Sequence, residues 1–202
     1  MTRVAPRAGD ATPRSQTPLR APGWKDPSPA TLAVVTFFER AESAVSRLPT
    51  PARRRAIRAG YVLLRGWWFV RRPTTEGVKV VLRRGEDVLL VRHTYGRRAE
   101  WDLPGGFMGT SEPPAEAALR ELEEELGVRA QSPVALGKLL QRSNGKRDTI
   151  HAFATDVDGQ PLVLDEAEIA EARWFRHQAL PEETSPYTRR MVARAYWELF
   201  RE

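Results

Sequence analysis

Glu121, Glu124 and Glu125 stand at i, i+3 and i+4 in the stretch "RELEEELGV" that runs from Arg120 to Val128. On a helix that spacing gathers their carboxylates on one side, where mutual repulsion destabilises the bare helix. A hard divalent cation converts the repulsion into affinity, because Mg²⁺ takes oxygen ligands and binds through a few carboxylates together with water and substrate phosphate. Arg120 lies four residues after Glu116 and four before Glu124, placed to hold carboxylates by charge-assisted hydrogen bonds. Upstream, Gly105-Gly106 permits backbone conformations closed to other residues and a close approach to a ligand. Taken alone, a Glu-rich helix is more often a solvated face than a site.

The helix that must carry these glutamates reads from 115 to 126. At about 100° per residue, Ala115, Ala118, Leu119, Leu122 and Leu126 share one face, which is the core face, and the three glutamates gather on the opposite side. Before it, "EGVKVVLRRGEDVLLVRHTYG" holds Val-rich runs around Gly85-Glu86-Asp87 and predicts a β-hairpin from about Val78 to His93. After it, "PVALGKLLQRS" and "TIHAFATDV" flank a turn at Asn144-Gly145, and "EARWF" predicts a further strand. A last helix opens with Ser185 as cap and Pro186 in first position, and Met191, Ala195 and Leu199 mark its apolar stripe.

A chain of 202 residues accommodates one well-buried domain plus an extension. The absence of cysteine excludes disulfides, zinc thiolates and a thiol nucleophile. The net charge of +6 is divided: residues 1–73 carry 14 Lys and Arg against 4 Asp and Glu, the remainder 18 against 22. Residues 1–29, rich in Pro, Arg and Ser, read as a disordered basic tail. Residues 30–72 read as a helical extension of two helices, the second opened by Pro51, and 73–202 as the principal domain. Residues 1–29 lack the apolar core of a signal peptide, and no segment approaches the ~18 consecutive apolar residues of a membrane span, so the expected location is cytoplasmic.

The spacing extends beyond the three glutamates. Gly106, five residues, Glu112, seven residues, Arg120-Glu121-Leu122, Glu123, Glu124-Glu125, Leu126, Gly127-Val128 fits G-x5-E-x7-R-E-U-x-E-E-x-G-U at every fixed position, with U aliphatic. Over residues 74–202, with "WDLPGG" before this box and "EARWF" after it, the chain resembles the Nudix hydrolases. The resemblance implies an α/β/α sandwich around a mixed sheet, and Mg²⁺- or Mn²⁺-dependent hydrolysis of a nucleoside diphosphate linked to another group. It implies Glu121, Glu124 and Glu125 as metal ligands, Arg120 as the residue that orients them, the Gly106 carbonyl as a further ligand, and Glu112 as a support for the loop and helix. The resemblance further implies a general base that is a box glutamate or one from a later loop, with Glu166 and Glu168 as the loop candidates against the commoner reading of an exposed acidic loop. Gly109, Ser111 and Pro113-Pro114 depart from what many relatives carry, all outside the fixed positions, and bear on metal number and rate.

Substrate signals outside the box are sparse. The proline expected about fifteen residues beyond the box in ADP-ribose hydrolases is missing, as is the "SQPWPFPxS" array of NADH pyrophosphatases. Tyr95 and Trp101 are candidates to stack on a base, and Arg97, Arg98, Lys138 and Arg142 to contact phosphate, each against the commoner role of aromatic core filler or solvated arginine. His93, His151 and His177 show no zinc spacing and read as structural. The run "RRRAIRAGYVLLRGWWFVRR" combines arginines with Trp67, Trp68 and Phe69. Docking on the domain or on a second subunit of a homodimer is favoured for residues 51–72 over contact with RNA or a membrane surface. The leading expectation is therefore a diphosphohydrolase acting on a small nucleotide or nucleotide derivative. The alternatives are a nucleotide-sensing or scaffold domain without turnover, and a pyrophosphohydrolase of RNA 5′ ends.

Overall fold

The computed structural model describes residues 48–71, 74–97, 99–109, 111–143 and 146–199. The tail 1–29 and the first helix expected in 30–47 lie outside the described residues, as do Arg98 and the Asn144-Gly145 turn.

Elements follow in the order α1 (Thr50–Arg71), β1 (Thr74–Arg84), β2 (Asp87–His93), α2 (Pro114–Leu126), β3 (Val134–Ser143), β4 (Lys146–Asp156), β5 (Ile169–Arg176) and α3 (Pro186–Leu199). The strands form one sheet in the order β3-β4-β1-β2-β5, with β1 and β4 parallel and the other pairs antiparallel. Alternation along the strands sends Val78, Val80 and Leu82 to one face, where α2 lays Ala118, Leu122 and Leu126. Val81, Val88 and Leu90 point to the other, against Val192, Ala195 and Tyr196 of α3. The result is the expected α/β/α sandwich around a mixed sheet.

Local chemistry sets the ends of the elements. The hairpin turns at Gly85-Glu86, with Arg84 opposite Asp87 and Gly85 at φ 58°. Pro113 and Pro114, read from sequence as departures, occupy the N-cap and first turn of α2, where a missing N–H costs nothing and the fixed φ suits the helix. Gly127 closes the same helix in the left-handed region at φ 66°, its N–H donating to the Glu123 carbonyl. Ser185 caps α3, its Oγ accepting from the Thr188 N–H at 3.1 Å.

Two expectations about α2 need correction. Ala117 belongs to the core face, whereas Leu119 is half-buried. Glu121 and Glu125 are not on a wet face: they are 9% and 3% exposed, because a loop lies over the helix flank that carries them.

Candidate active site

That loop is held by a split in the sheet. β1 and β2 pair beside their turn, at Arg83↔Val88 and Arg84↔Asp87, and the segment 102–108 lies alongside both strands farther on. Val78 and Val80 donate to the Gly106 and Pro104 carbonyls at 2.9 and 3.0 Å, while Val91 and Asp102 exchange a pair of backbone hydrogen bonds. Gly105, at φ +126°, fits because a Cβ there would come within 2.4 Å of the Val78 carbonyl oxygen. At Gly106 the Cβ position is filled by the Glu121 carboxylate, whose oxygens stand 2.6 and 2.8 Å from it. The Gly105 N–H donates to Glu125 Oε2 at 2.8 Å. Both buried glutamates are thus seated against the glycine pair.

Arg120 organises the carboxylates beside them. It donates to Glu112 through Nε at 2.8 Å and through its second terminal nitrogen at 3.0 Å, a fork-to-fork pair. The other terminal nitrogen reaches Glu121 Oε1 at 3.0 Å and Glu124 Oε2 at 2.7 Å, while the nitrogen shared with Glu112 also donates to the Phe107 carbonyl at 3.0 Å. Glu112 also accepts from the Gly109 N–H at 2.7 Å, which closes the loop onto the helix. Burial raises the Glu112 carboxyl, but the Arg120 and Gly109 hydrogen bonds and the Arg120 charge outweigh it and hold the group below its ordinary value.

Burial pushes Glu121 up to about 8, with the Glu125 charge adding to it against the pull of Arg120. Glu125 is raised to about 7 by burial, opposed by the Lys79 charge and the Gly105 hydrogen bond. Among the described residues no three Asp, Glu or His side chains converge into a ready cation cage. The two buried glutamates stand together, and Glu124, half exposed, is held by Arg120.

Several residues around the pair were not singled out by their sequence pattern. Lys79 Nζ lies 3.0 Å from Asp102 Oδ2 and donates to the Leu103 carbonyl at 2.7 Å, pinning the loop from β1. A lysine inside the apolar run "GVKVVL" was the available signal. His93, read as structural, sits with Nδ1 buried and 3.9 Å from Glu125 Oε1. Burial and then the Lys79 charge lower it to about 3, so it is neutral at physiological pH. Its ring packs on Tyr95 at 5.3 Å, and Tyr95 on Tyr61 of α1 at 5.4 Å.

The sequence candidates for substrate contact are dispersed. Tyr95, flanked by Tyr61 and His93, has its hydroxyl raised well above the ordinary tyrosine value by burial and then by Glu168, Glu125 and Glu121. Trp101 is 3% exposed and packs edge-on against Phe175, with Arg92 over its ring, which is the core-filling role and leaves no open face for a base. Arg97 is exposed and paired with Glu100 at 2.9 Å. Lys138 is exposed on β3, and the Arg142 side chain lies outside the described residues. The two loop candidates part company: the Glu168 carbonyl accepts from the Thr94 N–H at 2.7 Å beside Tyr95, whereas Glu166 is exposed, 4.0 Å from Arg54. A recess lined in part by Arg53, Glu123, Glu124, Asp165 and Glu166 opens beside them.

The family model for the NUDIX domain matches residues 73–195. Curated relatives include the NAD-capped RNA hydrolases NudC of Escherichia coli K12 and Shigella dysenteriae, each 30% identical over 102 residues, which are 50% of this chain and 39% of the relative. The chain thus matches well under half the length of those relatives. A MutT NUDIX hydrolase from Burkholderia pseudomallei superposes with a TM-score of 0.56 at 22% identity, covering 60% of this chain and 97% of that one. An Ap4A hydrolase from C. elegans gives 0.55 at 15% identity, with coverages of 62% and 98%. Both likenesses show the fold.

Proposed function

The chain belongs to the Nudix hydrolase family, and on that premise we propose that it is a metal-dependent diphosphohydrolase that cleaves a nucleoside diphosphate linked to another group. The observation that carries this reading is the seating of Glu121 and Glu125 against Gly105-Gly106, with Arg120 gathering Glu112, Glu121 and Glu124 around it.

The residues present fit Mg²⁺ or Mn²⁺. The donors are oxygen only, two of them buried carboxylates, and the glycine cradle lets one carboxylate lie on the backbone. Glu121, Glu124 and Glu125 would hold the ion, with the Gly106 carbonyl, already accepting from Val78, offering its second lone pair. When bound, the cation supplies charge neutralisation of the diphosphate and a lowered pKa for water. Arg120 keeps three carboxylates in register, and Glu112 ties the loop to α2. Glu168 is the better placed of the two loop glutamates to accept a proton from water, since its backbone is bonded to Asp165, which hangs on Glu125, and to Thr94, whereas Glu166 is exposed beside Arg54.

The test is product release from nucleoside triphosphates, dinucleotides, nucleotide sugars, ADP-ribose and NAD-capped RNA, with Mg²⁺, Mn²⁺ or chelator. One metal-dependent hit, abolished in Glu124→Gln and Glu125→Gln variants of native fold, supports the reading. Retained turnover in both variants overturns the assigned roles. Capped RNA is included because the curated relatives carry that activity in their names, and preference for it over free nucleotides would select the RNA-end alternative. Ligand-induced thermal stabilisation without product would select the sensing alternative.

A further inference from the structure

The helix α1 is absent from the chemistry above, yet its first three turns are bonded to the chain segments that border the buried glutamates. Arg53 donates to both carboxylate oxygens of Asp165, at 3.2 and 2.6 Å. Arg54 Nε donates to the Glu166 carbonyl at 2.6 Å, and Arg58 Nε to the Thr94 carbonyl at 3.0 Å. One helix face thus grips the β4–β5 connection, residues 157–168, and the end of β2 together.

Asp165 is the joint. Its N–H donates to the carbonyl of Glu125 at 2.9 Å, which hangs the loop on α2 at one of the buried glutamates. Its Oδ1 accepts from the Ala167 N–H at 2.9 Å, and its carbonyl accepts from Glu168 and Ile169 at 3.0 and 2.8 Å. The Glu168 carbonyl in turn accepts from Thr94 at 2.7 Å, beside Tyr95. The carboxylate of Asp165 therefore fixes the turn that presents Glu168, and Arg53 fixes that carboxylate. Both side chains are about one-fifth exposed, so the pair is sheltered and bidentate rather than a loose surface contact.

We propose that Arg53 is a positioning residue of the active site, acting through Asp165 to hold Glu168 and the Thr94–Tyr95 segment against the Glu121/Glu125 pair. The proposal rests on the reading of that pair as the reacting centre. It makes α1 a working part of the site, one wall of the recess beside Glu124, although the helix precedes the residues that the family model matches.

The test compares wild type with Arg53→Ala, Arg53→Lys, Asp165→Asn and, as a control, Arg55→Ala, whose exposed side chain is on the same helix. All are full-length chains. Steady-state kinetics use the substrate found in the panel, and hydrogen exchange is read at the amides of Ala167, Glu168 and Ile169. Arg53→Ala is expected to lower kcat about tenfold with KM within about threefold, because the loss is one of placement. Exchange should quicken at those amides, Arg53→Lys should recover part of both effects, and Arg55→Ala should match wild type. Unchanged kcat in Arg53→Ala, or an equal loss in Arg55→Ala, overturns the proposal. Asp165→Asn, which keeps an oxygen for the Ala167 N–H, decides the matter if Arg53→Ala fails to fold: wild-type kcat and exchange in it count against the clamp. A wild-type protein inactive on the whole panel defeats the proposed function instead, and exchange confined to 165–169 in Arg53→Ala still separates a clamp from none.

Discussion

Arg120 holds Glu112 by two parallel hydrogen bonds, 2.8 Å from Nε and 3.0 Å from a terminal nitrogen, across eight residues of sequence. The same guanidinium reaches Glu121 and Glu124 with its remaining donors, so one side chain sets the spacing of three carboxylates. Lysine has the charge but not the fork. Arg120→Lys should lower kcat about 10–100-fold, the usual cost of losing a group that orients metal ligands. The far-UV spectrum should stay as in wild type, and kinetics within about twofold of wild type would show that the network is dispensable.

This network was largely legible beforehand, because its members sit within one helix and one short loop: Gly106, Glu112 and Arg120 to Val128 obey local spacing, and the helix follows from Ala118, Leu122 and Leu126. The sheet alternation and the Gly85-Glu86 turn were legible for the same reason. What escaped depends on long-range approach. The burial of Glu121 and Glu125 requires the 102–108 segment to lie between β1 and β2, and no pattern in α2 announces a loop from elsewhere in the chain. The Arg53–Asp165 pair joins residues 112 apart, and among so many arginines nothing marked Arg53. For Trp101 the commoner core-filling role, favoured from sequence over base stacking, is the one observed, with Phe175 and Arg92 enclosing the ring.

The adjacent glycines should fail differently when given a methyl group. Gly105→Ala meets backbone 2.4 Å away at a positive φ, with no flexible neighbour to yield, and is expected to destabilise the fold by about 3 kcal/mol. Gly106→Ala meets the Glu121 carboxylate, which can swing aside, so stability should change less while metal affinity falls. Urea unfolding together with Mn²⁺ titration distinguishes the two, and equal losses of stability would contradict the cradle.

Arg97 offers a check on substrate contact at the rim. Its side chain is 83% exposed and pairs with Glu100 at the surface, so Arg97→Ala should leave stability within about 0.5 kcal/mol of wild type. If the residue meets substrate phosphate, KM for the panel substrate should rise several-fold with kcat preserved. An unchanged KM would remove Arg97 from the binding surface.

Asp102 anchors the same loop by charge, and its effect should depend on pH. Burial raises its carboxyl, but the Lys79 charge, with smaller contributions from His93 and the hydrogen bonds of Lys79 and Thr188, brings it below its ordinary value. Burial likewise lowers Lys79, and the charges of Asp102 and Glu125 more than compensate, so its ammonium is held above its ordinary value. A depressed carboxyl contributes stability that is present above its unfolded value and is lost as pH falls through the folded one. A raised ammonium contributes stability that is present below its unfolded value and is lost as pH rises through the folded one. Asp102→Asn should therefore cost about 2 kcal/mol near neutral pH, a figure reduced from that of a fully buried pair because the aspartate is 32% exposed. The gap from wild type should be widest between the ordinary aspartate value of about 3.9 and the Glu125 value of about 7, narrowing below the first as Asp102 is protonated and above the second because the Asp102 charge raises Glu125. Thr188 and the Leu103 N–H donate to the Asp102 carboxylate and do not ionise at acidic pH, whereas His93, lowered to about 3, gains its proton in the same acidic window, so the comparison is repeated in a His93→Gln background. Urea denaturation of both proteins at a series of pH values checks this, and a gap that persists undiminished at low pH would show that Asp102 acts by hydrogen bonding alone.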